Sequence, residues 1–196
     1  GVNMNTALLL IDIQNDYFPS GKMELEGAVN AAEKGARLLS VFRAAKRDII
    51  HIQHVSSRPD APFFLPDTPG VEIHHRVAPI PGEAVFVKAF PNSFRETGLL
   101  DHLRHRKISK LVVAGMMSQR CVDTTVRAAF DLGFEVDLVH DVCATRSLSF
   151  NGVTVPASHV QAAFMAALNV GFAHVIDVEE ACVALSSSDP QSVDSK

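Results

Sequence analysis

Short runs that are apolar at every position alternate along this chain with segments whose apolar residues recur at helical spacing. That alternation narrows the folds open to it. LLLI (Leu8–Ile11), LVVAG (Leu111–Gly115) and HVID (His174–Asp177) show no polar alternation, as suits strands covered on both faces of a parallel sheet. Strands are predicted at Thr6–Ile11, Asp48–His54, Ala84–Val87, Lys110–Ala114, Glu135–Val139 and Ala173–Ile176. Helices are predicted at Ala28–Lys46, Gly98–Arg106, Val122–Leu132 and Ala157–Val170, with a short one at Glu179–Leu185. Strands alternating with helices imply βαβ units, hence an α/β, doubly wound, mostly parallel sheet with helices on both faces.

The 196 residues are 47% hydrophobic, which suits one domain with a well-filled core. The domain is expected over residues 4–185, followed by a flexible polar tail at 186–196, SSSDPQSVDSK. Eighteen basic against 22 acidic residues leave a net charge of −4. With no basic run or stripe, nucleic acid is not an expected partner. No apolar run is long enough to cross a bilayer, and no charged segment followed by an apolar one opens the chain, so neither membrane association nor export is expected. Cys121, Cys143 and Cys182 are too widely spaced for a disulfide framework or a zinc pattern, which favours the reducing cytoplasm. The segment from Val55 to Gly82 holds six prolines and two glycines. It is too long for an ordinary connection and reads as a lid or binding loop. Its apolar Phe63, Phe64 and Leu65 imply burial over a ligand or at a subunit contact, and a homo-oligomer, dimer or tetramer, is expected.

Ligands of open α/β sheets bind beyond the carboxyl ends of the strands. Asp12 follows the first predicted strand, His54 ends the second, Lys88 follows the third and Cys121 lies a few residues past the fourth. A thiol in the first turn of a helix meets unpaired N–H groups and the positive end of the macrodipole, which favour the nucleophilic thiolate. A carboxylate beside it can accept the thiol proton and return it to a leaving amine, and a lysine would keep that carboxylate ionised and favour the thiolate as well. Singly, an Asp or Lys at a strand end is an ordinary cap or solvated charge; their coincidence with Cys121 is what points to chemistry. Cys143 and Cys182 read as core thiols. His51 and His54 are three apart on a strand and face opposite sides, and His74 and His75 are adjacent, so no metal is expected.

Three blocks extend the pattern. ALLLIDIQNDYF, EAVFVKAFPNSFRETGL and LVVAGMMSQRCVDTTVRAAFDLGF occur in that order, and the chain resembles the isochorismatase-like cysteine hydrolases from about Thr6 to Leu185. That family includes nicotinamidases, N-carbamoylsarcosine amidohydrolase and streptothricin hydrolase. The resemblance implies a six-stranded parallel sheet in the order 3-2-1-4-5-6 and a catalytic triad of Asp12, Lys88 and Cys121. It further implies a cis peptide between Met116 and Met117, an oxyanion hole built from the N–H groups of Met117 and Cys121, and no cofactor. Tyr17, Phe90 and Phe94 match pocket-lining positions, and His54, Gln119 and Arg120 join them as candidate contacts for a small-molecule substrate. Gln119 and Arg120 stand where relatives often carry His or Met and an aromatic or His, and HIQHVSSRPD lacks the Asp-x-His pair of nicotinamidases. These departures argue against nicotinamide as the particular substrate.

The leading expectation is hydrolysis of a C–N bond in a small amide, carbamoyl or lactam-like compound through a thioester. Vinyl-ether hydrolysis of isochorismate is the enzymatic alternative, disfavoured by the cysteine. A catalytically silent binding member of the fold is the other alternative. A dinucleotide site would want G-x-G-x-x-G where IDIQNDYF stands.

Overall fold

The computed structural model describes residues 5–187, so most of the polar tail lies outside the described residues. Six parallel strands form the central sheet: β1 (Thr6–Ile11), β2 (Asp48–His54), β3 (Ala84–Lys88), β4 (Lys110–Met116), β5 (Glu135–Ala144) and, last in the chain, β8 (His174–Ile176). Their order is β3-β2-β1-β4-β5-β8, the expected arrangement with β8 as the sixth strand of the sheet. A hairpin of β6 (Leu148–Phe150) and β7 (Val153–Val155) intervenes. It was not expected from the sequence.

Alternate residues of β1 feed two separate cores, which is why its apolar run has no polar breaks. Leu8 and Leu10 pack with α1 (Ala28–Ala44) and α5 (Val178–Ser187), while Ala7, Leu9 and Ile11 pack with α2 (Leu99–His105), α3 (Asp123–Asp131) and α4 (Ala157–Asn169). Helices therefore cover both faces. Among the described residues, no helix is long and apolar enough to cross a membrane.

Order reverses on the two sides of β1, so the crevice beyond β1 and β4 is the switch point of the sheet. There Ile11 pairs with Gly115. A Cβ at Gly115 would stand 2.0 Å from the Ile11 carbonyl oxygen, and its φ of +138° is glycine territory. β5 runs five residues beyond its expected end and rejoins β4 after an irregularity, pairing Gly115 with Cys143 and Met116 with Ala144. β4 is thereby held straight up to Met116, where the chain turns into the site.

Candidate active site

Four side chains converge at the switch point. Asp12 follows β1 with φ +52° and donates its N–H to the Ile52 carbonyl at 3.0 Å, which fixes its approach to β2. His54 and Lys88 are register partners at the ends of β2 and β3. Cys121 rides on a wide, π-helical turn (Ser118–Val122) that follows the Met116–Met117 peptide, which is cis, and precedes α3. Such turns recur at functional sites. In it Val122 N–H reaches back five residues to the Met117 carbonyl at 3.3 Å.

Lys88 Nζ lies at the centre of the group. It is 2.8 Å from Asp12 Oδ2, 2.8 Å from His54 Nδ1 and 3.4 Å from Cys121 Sγ. An ammonium has three hydrogens and no acceptor, so this buried cation finds one partner for each. The same geometry makes His54 Nδ1 an acceptor and the ring neutral. Burial, and then the Lys88 charge, lower the His54 pKa to about 4. Asp12 and Lys88 form an ion pair with both side chains fully enclosed. The second carboxylate oxygen, Asp12 Oδ1, is buried and has no hydrogen-bond partner among the described residues.

Cys121 is 3% exposed. The expectation of a thiolate does not hold for the resting site: burial, followed by the Asp12 carboxylate, pushes the thiol well above its ordinary pKa, and Lys88 only partly offsets this. Desolvation outweighs the helix terminus. Burial thus favours the thiol over the thiolate, and forming the thiolate calls for a base.

Asp12, His54 and Cys121 are also the one group of potential metal ligands among the described residues, their ligand atoms lying within 4.8 Å of one another. This set crosses strands, so the spacing of histidines along β2 could not reveal it. Lys88 Nζ already bonds to all three, so a metal ion would have to displace an ammonium. The donor set therefore does not fit a resident metal.

Above the thiol is a cavity of about 440 Å³. Of the six candidate contacts, Tyr17, His54, Phe90 and Arg120 line it. Phe94 and Gln119 do not. Phe94 stacks on Phe134 at 6.1 Å within the core between the sheet and α2–α4, and the Gln119 amide turns away to accept from the Thr145 hydroxyl. Residues 56–58 and 61–64 of the long loop supply much of its lining, so the loop lies over its own chain's site. Phe64 is buried against Tyr17, ring centroids 4.7 Å apart, and is thus spent inside the chain.

Two residues that anchor this loop went unnoticed in the sequence. Asp16 is buried, and its Oδ2 accepts the Phe64 N–H at 2.8 Å. A Cβ on Gly70 would stand 2.0 Å from Asp16 Oδ1. Gln14, also buried, accepts the His54 N–H at 2.9 Å and donates to the carbonyls of His54 and Val71, each at 2.8 Å. Their place in IDIQNDYF, next to Asp12, was the available signal. A third link joins the loop after β3 to α3: Ser93 N–H donates to Thr125 Oγ1 at 3.0 Å.

Comparison with known proteins agrees with this geometry. Residues 6–180 match the sequence family described as the isochorismatase domain. An isochorismatase family protein of Bacillus subtilis strain 168 is 49% identical over 176 residues, covering 90% of this chain and 98% of that one. Streptothricin hydrolase of Streptomyces noursei is 37% identical over 139 residues, 71% of this chain and 49% of its own length. The crystal structure of an Oleispira antarctica protein assigned as an isochorismatase hydrolase superposes with a TM-score of 0.89 at 47% identity, covering 93% of this chain and 98% of that one. The chain belongs to the isochorismatase family of hydrolases.

Proposed function

We propose that the chain is a cysteine hydrolase that cleaves a C–N bond in a small amide, carbamoyl or lactam-like compound, with Asp12, Lys88 and Cys121 as its catalytic residues and no cofactor. The observation that carries this is the buried Asp12 Oδ1, without a hydrogen-bond partner among the described residues, in the same cluster as the Cys121 sulfur. In the first half-reaction Asp12 takes the thiol proton as Sγ bonds to the substrate carbonyl carbon. The oxyanion so formed would be met by the N–H groups of Met117 and Cys121. The C–N bond then breaks, the amine leaves with the proton held by Asp12, and a thioester remains. Water attacks the thioester after giving its proton to Asp12, and that proton returns to Sγ as the acid departs. Lys88 holds Asp12 in place throughout and offsets the charge that moves between carboxylate and sulfur.

Three buried, free cysteines suit a reducing compartment, the cytoplasm. Assembly into a homo-oligomer belongs to the same proposal, supported by apolar side chains left exposed on the β6–β7 hairpin, Phe150 at 83% and Val153 at 63%. The test of the chemistry is a screen of small amides for released amine or ammonia. Cys121→Ala should abolish turnover and the acyl-enzyme mass shift, whereas Cys143→Ala should retain both. Turnover by Cys121→Ala at the wild-type rate would overturn the mechanism, and conversion of isochorismate alone would favour vinyl-ether hydrolysis.

A further inference from the structure

The walls of the cavity carry charge of one sign. Arg58 and Arg120 line it, and no Asp or Glu does. Beneath them the Asp12 charge is already matched by Lys88. Arg37, Arg43, Arg106 and Arg127 each hold a carboxylate. Among the described residues Arg58 and Arg120 have no ion-pair partner; the same holds for Arg47, Arg76, Arg95, Arg104 and Arg146, but none of those lines the cavity. The Arg95 guanidinium does not line the cavity but lies 3.6 Å from the centroid of the Phe90 ring, which does. A chain of net charge −4 thus places two unopposed cations in the lining of one cavity.

We infer that the cavity selects amides that bear a carboxylate, with Arg120 and Arg58 as the residues that hold it and the aromatic wall as the seat of an apolar body. This rests on the hydrolase reading above for the reacting group, and on the cavity alone for the anion. Position supports the assignment. Arg120 immediately precedes Cys121 on the π-helical turn, so a carboxylate paired with it lies within a few bonds of the carbonyl at Sγ. Arg58 lines the same cavity from the long loop. Two guanidinium groups can grip one carboxylate from two sides, each offering a planar fork of donors. Tyr17, Phe63 and Phe64 form an edge-to-face and tilted aromatic cluster that accepts an apolar or aromatic body but offers it no charge. The Arg120 charge also reaches the floor of the cavity, where it helps keep His54 neutral. A cationic substrate would meet this field as repulsion.

Binding can be read apart from turnover in the Cys121→Ala protein, with benzoate and its neutral counterpart benzyl alcohol as probes in calorimetry. Benzoate should bind about ten-fold or more tightly than benzyl alcohol, a gap of roughly 1.4 kcal/mol. Arg120→Gln and Arg58→Gln, added singly, should each narrow that gap, and Arg120→Lys should restore part of it. Raising the ionic strength should weaken benzoate and leave benzyl alcohol unchanged. Equal affinities for the two probes, or a gap that survives in the Arg120→Gln, Arg58→Gln double variant, would overturn the inference while leaving amide hydrolysis intact. An arginine-dependent preference for benzoate, in a protein that turns over no amide, would sustain the anion site and remove the hydrolase reading instead.

Discussion

Lys88 and Asp12 show how one pair of residues sets both the chemistry and a stability cost. Both side chains are fully enclosed, and they meet at 2.8 Å. Burying two charges costs several kcal/mol, repaid only when geometry and further hydrogen bonds are good. Here His54 Nδ1 and Cys121 Sγ complete the ammonium's set. Removing one partner strands the other, so Lys88→Met should lose about 3–5 kcal/mol in urea unfolding, and Asp12→Asn should lose stability too, though less because its amide oxygen can still accept from the Lys88 ammonium. The double variant Asp12→Asn, Lys88→Met should recover much of the stability lost in Lys88→Met, yet regain no turnover. Losses that simply add would show that the two charges are not coupled. Recovery of activity with stability would show that the pair serves folding alone.

At the scale of elements, the long loop illustrates what the sequence carries and what it conceals. Its existence was legible in six prolines, and Phe63 and Phe64 do line the cavity. Its anchor was not, because Asp16 and Phe64 are 48 residues apart and the bond between them exists only once the loop has folded back. Phe64 also adopts φ +58°, a conformation costly for a bulky residue and held by its neighbours. The extension of β5 was hidden for a similar reason, since it depends on register against β4. The β6–β7 hairpin was different. Its turn is Asn151–Gly152, both at positive φ, and Asn-Gly between apolar residues is a strong local signal for such a turn; its two strands, of three residues each, are too short to form long apolar runs. The loop anchor yields a prediction. Asp16→Ala leaves the Phe64 N–H without its acceptor and should cost about 1–3 kcal/mol. Limited proteolysis should then cut first between Val55 and Gly82, with KM rising more than kcat falls. Wild-type resistance of that segment would show that the Phe64–Tyr17 packing, not Asp16, holds it.

Across the whole molecule, the buried histidines tie the site and the sheet to pH. The apolar runs implied a parallel sheet and the family resemblance its strand order; β2 brings His54 to Lys88 and places His51 against Glu83. Burial lowers the pKa of His51, and burial with the Lys88 and Arg120 charges lowers that of His54 to about 4. Glu83 is pushed up by its surroundings, but bonds from Arg43, His51 and the Ile80 N–H prevail and hold it at about 2. For each of these groups the unfolded chain binds protons at a higher pH than the folded one, so stability must fall as pH falls. The His54 contribution is complete above about pH 6.5 and is spent by about pH 4, where the folded protein also takes the proton. Glu83 carries the decline further, from its ordinary range down through about pH 2. Denaturation of the wild type between pH 7.5 and 4 should therefore show a steady loss. His54→Gln, whose carbonyl can still accept from Lys88, should show a slope shallower by up to about 1.4 kcal/mol per pH unit, the value of one proton. Below pH 4 the two curves should run parallel, because only Glu83 and other carboxylates still titrate there. Parallel curves across the upper window as well would mean that His54 is not neutral in the folded protein, and the hydrogen bond drawn from Lys88 to its Nδ1 would have to be reversed or abandoned.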